Sequence, residues 1–326
     1  MALEWRPSAD IDTLKARARL FAQVRAFFAE RGVLEVDTPV LGQGGSTDVH
    51  LASLSTHAQI GAESRTLWLQ TSPEFHMKRL LAAGSGPIFQ LARSFRDGEV
   101  SARHNVEFTM LEWYRLGFTL VDLIEESAAL IKALLCAPDL PLERYSYRAL
   151  FKHHLGLDPF TAPLDELRRL AEKHGAMPAG HLAEEPRDTC LDLLMSVVIE
   201  PTLGRGEISA VVDYPASQAA LAKRHRDEEG EWVASRFELY IDGMELANGY
   251  DELVDAAEQR ARFIEDNAER ERLGLAPVAI DERLLAALEH GMPEGAGVAL
   301  GIDRLIQLAL GKARLEEVLA FATPRC

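Results

Sequence analysis

The sequence predicts an α+β fold, in which an antiparallel β-sheet is flanked by helices. Two observations predict it. Strand-like runs follow one another along the chain with short connections, as in hairpins, and the helical segments are grouped instead of alternating strictly with strands. The chain has 326 residues, of which 47% are hydrophobic and 26% are charged, so it can bury a large core. Length alone is compatible with two domains.

The first predicted element is a helix. Its apolar residues follow the helical period of 3.6, at Ile11, Leu14, Ala18, Phe21, Val24 and Phe28. Ser8 or Asp10 is expected to cap its start, and Gly32 stands where a glycine commonly ends a helix. The extended segment 33–41 that follows contains Pro39, which favours the edge of a sheet or an interface.

The later elements are predicted from period, length and turn residues. Strands are expected at 51–60, 65–71, 87–96, 105–115, 207–213, 234–250 and 295–301. Helices are expected at 73–83, 119–136, 147–154, 163–174, 187–202, 252–273, 281–289 and from Ile302 onward. Thr71 or Ser72 would cap the helix that begins near Pro73. The helices between about 119 and 205 form an expected insertion, and 87–96 with 105–115 form a long hairpin.

The charge and the cysteines narrow the class of protein. The formal net charge is −16, and so acidic a surface makes a nucleic acid a less favoured main partner, although it also serves simple solubility. Three widely spaced cysteines predict neither a disulfide framework nor a zinc ribbon, and they favour a reducing compartment. No signal peptide and no apolar run long enough for a membrane span is evident, so we expect a cytoplasmic protein.

Several common catalytic motifs are absent from the sequence. It contains no GxxxxGK[ST], HExxH, GxSxG or CxxC pattern. The glycines between Gly295 and Gly301 are spaced one residue too far apart for a dinucleotide-binding loop, and no βαβ unit follows them.

The predicted hairpin carries the most informative side chains. In its first strand, large apolar residues alternate with small or polar ones, which are Gln90, Ala92, Ser94 and Arg96. In its second strand, one face carries Val106, Phe108, Met110, Glu112 and Tyr114. Two aromatic rings and a carboxyl group near an arginine could bind a flat ring and a polyanion, because the arginine fork suits phosphate. An ordinary solvated face of a sheet is equally compatible with this pattern.

Two further segments contain groups suited to a ligand. The segment 245–252 places three acids and the amide of Asn248 around a glycine, and its carboxylates could hold Mg²⁺ or an amino group. The segment 297–304 is a glycine-lined strand that runs into a helix with Arg304 in its first turn, where anions are favoured. Either segment could also be a plain junction between a strand and a helix.

Taken together, these segments resemble the three signature motifs of class II aminoacyl-tRNA synthetases. Residues 28–39 resemble motif 1, the helix, strand and proline of the dimer interface. Phe95-Arg96 with His104 and Phe108 resembles motif 2, and 297–304 resembles motif 3. The segments 72–80 and 245–252 narrow the resemblance to the lysyl branch.

Local sequence narrows the resemblance further. Residues 72–75, 109–115 and 213–218 are similar to the stand-alone synthetase paralogues that modify translation elongation factor P. Motif 1 begins near residue 20, which leaves no room for the anticodon-binding domain of lysyl-tRNA synthetases. A single catalytic domain over 1–326, with the helical insertion at about 119–205, is therefore expected.

The resemblance implies a reaction and its partners. ATP and Mg²⁺ would activate (R)-β-lysine, or lysine, as an adenylate, and the amino acid would pass to the ε-amino group of a lysine of elongation factor P. A homodimer through the motif 1 region is expected, and tRNA is not an expected partner. Two alternatives stay open: a trimmed lysyl-type ligase that acts on tRNA or a small amine, and a non-catalytic synthetase-like amino-acid sensor.

The resemblance also implies roles for individual residues. Arg96 would hold the α-phosphate of ATP, while Phe108 and Arg304 would bind adenine from its two faces. Other residues expected at the ATP are Asp97, Gly98, His104, Asn105, Glu245, Leu246 and Gly301. Residues expected to bind the amino acid are Ser72, Pro73, Glu74, Tyr114, Asn248 and Glu252. Glu245 and Glu252 are the expected metal ligands.

One position departs from the family pattern. Motif 2 usually reads Arg-x-Glu, with the acid contacting the adenine amino group, but Gly98 stands at that position here. Asp97, Glu99 or backbone atoms are the candidates to replace that contact.

Overall fold

The structure is a computed structural model that describes residues 5–176 and 185–326. The described chain forms two compact units. Unit 1 comprises the described residues up to Thr119, together with Ala129–Ala137 and Leu253–Cys326. Unit 2 comprises Leu120–Ala128 and the described part of Pro138–Glu252.

The described helices and strands follow the predicted order closely. The helices are α1 (Ile11–Ala29), α2 (Glu74–Ala82), α3 (Leu120–Leu134), α4 (Tyr147–Leu155), α5 (Leu164–Lys173), α6 (Arg187–Leu194), α7 (Ala256–Arg272), α8 (Glu282–Gly291) and α9 (Ile302–Ala309). The strands are β1 (Leu34–Glu35), β2 (Leu41–Gly42), β3 (Ser55–Ile60), β4 (Glu63–Leu69), β5 (Ile88–Phe95), β6 (Glu107–Leu116), β7 (Leu142–Ser146), β8 (Ile208–Pro215), β9 (Arg224–Arg226), β10 (Trp232–Ile241), β11 (Met244–Asp251) and β12 (Gly295–Gly301). A π-helical turn (Met195–Ile199) continues α6.

Unit 1 is built on strands in the order β1-β5-β6-β12, with β1 parallel to β5 and the other pairs antiparallel. A separate small sheet has the order β2-β4-β3. Helix α1 packs on the larger sheet, because the ring of Phe28 stacks on Phe89 at a centroid distance of 4.5 Å and lies 5.2 Å from Trp113. Asp10 caps α1, as predicted, by accepting a hydrogen bond from the backbone N–H of Thr13 at 2.7 Å.

Unit 2 has the strand order β11-β10-β8-β7, and β9 pairs with β10. Its core lies between this sheet and helices α4, α5 and α6. The ring of Tyr147 stacks on Phe151 at 4.6 Å and lies 5.0 Å from the ring of Tyr214 on β8. The rings of Tyr147 and Tyr214 therefore join α4 to the sheet, within a core that is otherwise mostly aliphatic.

Two expectations need correction. The run 234–250 is not one strand but the hairpin β10–β11, whose turn residues Asp242 and Gly243 both have positive φ, at 50° and 67°. This Asp-Gly pair is a common signal for a two-residue hairpin turn. The sheet strands are also not all antiparallel, since β7 lies among the predicted helices and pairs in parallel with β8. The α+β class is confirmed, with a mixed sheet in place of an antiparallel one.

Among the described residues, the structure has no helix that is both long enough and apolar enough to cross a lipid bilayer.

Candidate active site

Strands β5 and β6 of unit 1 present a shared polar face. Gln90 pairs with Glu112, and Ser94 pairs with Phe108. Directly opposed residues of neighbouring strands point to the same side of a sheet, so these side chains share one face. The alternation in the sequence predicted this face correctly for both strands.

Arg96 lies at one end of this face and keeps the hairpin in register. Its backbone N–H donates to the carbonyl oxygen of Val106 at 2.9 Å. Its guanidinium carbon lies 5.2 Å from the centroid of the Phe108 ring, and its Nη1 lies 3.9 Å from a carboxylate oxygen of Glu99. The buried Nε of Arg96 has no hydrogen-bond partner among the described residues. The geometry thus brings together a cation and an aromatic ring, with one donor available to an anion.

The departure at Gly98 has a conformational cause. Gly98 has φ of +76°, a region that strongly favours glycine, and the carboxylate of Asp97 accepts a hydrogen bond from its N–H at 2.9 Å. A glutamate at position 98 would be strained in this turn. The next residue, Glu99, is the acid whose carboxylate oxygen lies 3.9 Å from Nη1 of Arg96.

A chain of hydrogen bonds fixes Arg304 to the loop between β5 and β6. Its Nη2 lies 2.7 Å from Nε2 of His104, and its Nε donates to the carbonyl oxygen of Arg103 at 3.3 Å. A guanidinium can only donate, so His104 must accept through Nε2 and carry its proton on Nδ1, which lies 2.8 Å from Oγ of Ser101. Burial, followed by the charge of Arg304, lowers the pKa of His104, which keeps the ring in this neutral form.

Asn105 is committed to structural contacts. Its side-chain oxygen accepts from the backbone N–H of Thr323 at 2.9 Å, and its side-chain nitrogen donates to the carbonyl oxygen of Glu107 at 2.6 Å. These bonds tie the end of the loop to the segment after α9. The expected contact between Asn105 and ATP stays a prediction.

The buried carboxyl group of Glu112 lies at the other end of this face. Glu112 is 1% exposed and accepts two hydrogen bonds at 2.6 Å, from the hydroxyl of Ser72 and from that of Tyr114. The Ser72 oxygen also accepts from the backbone N–H of Glu74 at 3.1 Å, at the start of α2. Sequence reasoning placed Glu112 on this face but left it out of the set of site residues.

The start of α2 adds a second acid to this region of unit 1. Pro73 precedes the helix, and the Glu74 carboxylate lies 2.6 Å from Nζ of Lys78, which is 1% exposed. Buried charges need such partners, so this ion pair fixes the position of Glu74. Two acids and two hydroxyl groups at one end of the unit 1 face suit a ligand that carries amino groups.

The neighbouring strand β12 presents only small side chains to this end of the face. Gly297 pairs with Tyr114, Ala299 with Glu112, and Gly301 with Met110. Small residues at these positions leave the side chains of β6 uncovered from that direction. Gly301 also directly precedes α9, which carries Arg304 in its first turn.

In unit 2, a β-bulge gathers the predicted acids on one face. Seven positions separate Glu245 from Glu252, so regular alternation would point them to opposite sides of β11. However, Leu239 pairs with Ala247 and Tyr240 pairs with Glu245, which leaves Leu246 as the extra residue of a bulge. Beyond the bulge, Glu245 turns to the face that also carries Asn248, Tyr250 and Glu252. The side chain of Leu246 is buried, so its backbone is what a nucleotide could contact.

Arg236 and Glu238 organise this face of unit 2. Arg236 donates to Glu238, to the side-chain oxygen of Asn248 at 3.1 Å and to the carbonyl oxygen of Gln218 at 3.0 Å. Glu238 also accepts from the hydroxyl groups of Tyr214 and Tyr240. Burial, with the charge of Glu238 next, raises the pKa of both tyrosines well above their usual range, so both hydroxyls stay donors. Sequence reasoning missed Arg236 and Glu238.

The described residues contain no group of three or more His, Cys, Asp and Glu side chains arranged to hold a metal ion. Two glutamates on one face nevertheless fit Mg²⁺, because this ion commonly takes one or two carboxylates and completes its shell with water and substrate phosphates.

Comparison with known proteins identifies the family. The family model for class II tRNA synthetases (D, K and N) matches residues 2–325. The chain belongs to this family.

Class II relatives of similar length resemble the chain throughout. A protein of Mannheimia succiniciproducens named elongation factor P–(R)-β-lysine ligase is 53% identical over 319 residues, which cover 97% of each chain. A protein of the same name from Haemophilus influenzae is 52% identical over 320 residues, 98% of this chain and 97% of the relative. A third, from Erwinia tasmaniensis, is 50% identical over 327 residues, 99% of this chain and 98% of the relative.

The segments that resemble the class II motifs lie on described elements. The segment that resembles motif 1 begins at the end of α1, the one that resembles motif 2 is β5–β6 with its loop, and the one that resembles motif 3 is the junction of β12 and α9. Within unit 1, Arg96 lies against Phe108, and Arg304 lies against His104 of the same loop. Ser72 and Tyr114 are joined through Glu112, whose position two residues before Tyr114 was the available signal for it.

Proposed function

We propose that this protein activates (R)-β-lysine with ATP and transfers it to the ε-amino group of a specific lysine of translation elongation factor P. The observation that carries the proposal is the similarity, 53% identity over 97% of both chains, to a class II relative named elongation factor P–(R)-β-lysine ligase. The polar faces of the two units supply groups suited to ATP and to a substrate that carries ammonium groups. Neither a ligase for tRNA nor a non-catalytic sensor is favoured by the names of these relatives.

In the first step, a carboxylate oxygen of the amino acid attacks the α-phosphorus of ATP in line with the bond to the β-phosphate. The new P–O bond forms as that bond breaks, which yields the aminoacyl adenylate and releases pyrophosphate. Chemistry of this kind depends on positioning and on neutralising charge. We assign the α-phosphate to Arg96, whose buried Nε is available and whose guanidinium is steadied by Phe108.

The adenine ring is proposed to lie between Phe108 and Arg304. Its amino group would be contacted by Glu99, the acid nearest to Arg96 in the loop. Other residues proposed to line the ATP are Asp97, Gly98, His104, Asn105, Leu246 and Gly301. Support comes from the hydrogen bond between His104 and Arg304, which holds the guanidinium of Arg304 at the loop that precedes Phe108.

The amino acid is proposed to bind to carboxyl and hydroxyl groups. In unit 1 these are Ser72, Glu74, Glu112 and Tyr114, beside Pro73, and their hydrogen bonds support a pre-organised site. In unit 2 they are Asn248, which Arg236 orients, and Glu252. Carboxylate side chains of this kind suit a substrate that carries ammonium groups.

Mg²⁺ is proposed to bind Glu245 and Glu252, since the bulge in β11 turns both to one face. When bound, the ion would neutralise charge on the phosphates of ATP. The chain's own contribution is to supply two carboxylate oxygens at this face and to hold the strand in the bulged form.

In the second step, the ε-amino nitrogen of the acceptor lysine attacks the carbonyl carbon of the adenylate. An amide bond forms, the bond to the phosphate oxygen breaks, and AMP leaves. The amine attacks in its neutral form and loses one proton as the amide forms.

We further propose a homodimer in the cytoplasm, in which residues 1–326 act as one class II catalytic domain and tRNA is not an acceptor. The segment after α1 supports the dimer, because Leu34, Val40 and Leu41 are exposed apolar residues. The net charge of −16 supports a protein acceptor over tRNA.

The acceptor is tested by mass spectrometry of elongation factor P after incubation with the protein, ATP, Mg²⁺ and (R)-β-lysine. The expected result is a gain of one β-lysyl group on one lysine, with no charging of tRNA in a parallel reaction. An unchanged factor alongside charged tRNA would overturn the proposal.

The adenylation step is tested by ATP–pyrophosphate exchange. Arg304→Ala is expected to abolish exchange while the melting temperature stays near that of the wild type, because the hydrogen bonds of Arg304 to Arg103 and His104 are made to a loop and not to the core of unit 1. Exchange near the wild-type rate in this variant would show that motif 3 is assigned to the wrong residues.

A further inference from the structure

A buried ion pair joins α1 to α9 close to the residues that are proposed to bind adenine. Nη2 of Arg17, on α1, lies 2.5 Å from Oδ1 of Asp303, on α9. The two side chains are 11% and 3% exposed. A pair this well shielded from water is costly to break, because either partner alone would be a buried charge.

Strand β6 joins the same junction through Thr109. The backbone N–H of Thr109 donates to Oδ2 of Asp303 at 2.7 Å, and Nη2 of Arg17 donates to Oγ1 of Thr109 at 3.1 Å. Asp303 lies in the first turn of α9, but its side chain does not cap that helix. It satisfies the backbone of β6 instead and so connects α1, β6 and α9.

The junction is one residue away from each proposed adenine contact. Thr109 directly follows Phe108, and Asp303 directly precedes Arg304. The hydrogen bond from Thr109 to Asp303 therefore sets the separation of the two backbones that carry the ring and the guanidinium. Arg17 fixes the carboxylate that accepts this bond, since its guanidinium contacts both the carboxylate and the Thr109 hydroxyl.

We propose that Arg17 and Asp303 are positioning residues that set the spacing of Phe108 and Arg304 for the adenine ring. The inference rests on the proposed function, because it needs ATP to bind between those two residues. Neither Arg17 nor Asp303 touches the nucleotide; each acts through its neighbours in the chain. The amino-acid site around Glu112 shares no hydrogen bond described here with this junction, so binding of the amino acid should be spared.

The test uses Asp303→Asn in the full-length protein. The asparagine oxygen can still accept from Thr109, but the charge that fixes Arg17 is lost. The KM for ATP in pyrophosphate exchange is expected to rise about tenfold, because a small misplacement of binding groups is enough for such a loss. The KM for (R)-β-lysine is expected to stay within about twofold of the wild type. Glu282→Gln is the matched control, since Glu282 forms an exposed pair with Arg260 in the same unit and should leave both constants unchanged.

A second variant, Arg17→Lys, provides the test if Asp303→Asn folds poorly. Arg17→Lys keeps the positive charge, but the shorter side chain cannot place its nitrogen where Nη2 of Arg17 contacts both Asp303 and Thr109. It also lacks the second branch that donates to the carbonyl oxygen of Val318, so the KM for ATP should rise about threefold. The inference is overturned if either folded variant keeps the wild-type KM for ATP, or if the KM values for ATP and for (R)-β-lysine rise equally. Wild-type protein that exchanges no pyrophosphate would instead refute the proposed function.

Discussion

The hydrogen bonds to Glu112 make a quantitative test of the amino-acid site possible. Tyr114→Phe removes one hydroxyl donor, at 2.6 Å from the carboxyl group, and keeps the ring that fills the space. Bonds this short between a hydroxyl and a carboxyl oxygen are typical of charge-assisted ones, and losing such a bond costs about 1.5–3 kcal/mol. We therefore expect the free energy of unfolding to fall by about 2 kcal/mol. The KM for (R)-β-lysine should rise about tenfold, which corresponds to a loss of about 1.4 kcal/mol of binding once the Glu112 carboxyl group is held by one hydroxyl instead of two.

Two other variants calibrate this result. Ser72→Ala loses its own bond to Glu112 and also the bond from the N–H of Glu74, so it should cost about 1 kcal/mol more than Tyr114→Phe. Tyr145→Phe is the matched control, because its hydroxyl also bonds a glutamate, Glu207, but at 2.9 Å on a half-buried strand in unit 2. Its expected cost is about 1 kcal/mol or less, without any change in KM.

Urea denaturation and ATP–pyrophosphate exchange supply the two measurements. The reasoning fails if Tyr114→Phe is no less stable than Tyr145→Phe and keeps the wild-type KM for (R)-β-lysine. The reasoning also fails if the KM for ATP rises as much as the KM for (R)-β-lysine, because Tyr114→Phe would then have disturbed unit 1 as a whole.

Two further predictions concern the motif 2 loop and a packed turn in unit 2. The pKa of His104 is lowered from the ordinary value of 6.5, so the ring is neutral above that pH. When it takes up a proton at lower pH, it can no longer accept the hydrogen bond from Arg304. The KM for ATP should therefore rise as the pH falls below 6.5. His104→Gln should remove this acid limb, and an unchanged pH profile in that variant would contradict the assignment. Gly204→Ala should destabilise the protein by about 3 kcal/mol or more, since Gly204 has φ of +70° and its added Cβ would lie 2.4 Å from backbone. Gly206→Ala, with φ of +77° and no atom within 4 Å of the added Cβ, should cost about 1 kcal/mol, and equal melting temperatures for the two variants would refute this.

The face formed by β5 and β6 was predictable because strand periodicity is a local property. Ser94 and Phe108 each lie in a run whose alternation needs no information from elsewhere in the chain. Their pairing across the hairpin was not predicted, because a loop this long does not fix the register, and the structure supplies it.

The bulge at Leu246 was not predictable in the same way. The residues around Leu246 continue an ordinary strand pattern. The extra residue is recognised only from the pairing of Leu239 with Ala247 and of Tyr240 with Glu245. Strand β7 is similar, because Leu142–Ser146 shows no regular alternation of buried and exposed residues, and it is defined by its pairing with β8.

Contacts between distant segments were beyond sequence reasoning altogether. Arg17 on its helix resembles any surface arginine, and Asp303 resembles any acid in a first helical turn. The partnership of Asp303 with Thr109 spans 194 positions of the chain and depends on the complete sheet of unit 1. The spacing of residue types along the sequence therefore does not predict that Asp303 and Thr109 are partners.

The division of the chain into units has a consequence for the order in which the protein is made. Unit 2 uses an almost continuous stretch of chain, whereas unit 1 combines residues before Thr119 with residues after Leu253. Strand β6 is synthesised long before its neighbour β12, and such distant pairings close slowly. During translation the hairpin β5–β6 must therefore wait, with the hydrogen-bonding edge of β6 unpaired, until β12 has emerged. A newly made molecule would thus pass through a stage in which unit 2 can already be folded while the sheet of unit 1 is still incomplete, and that stage is where chaperones are most useful to it.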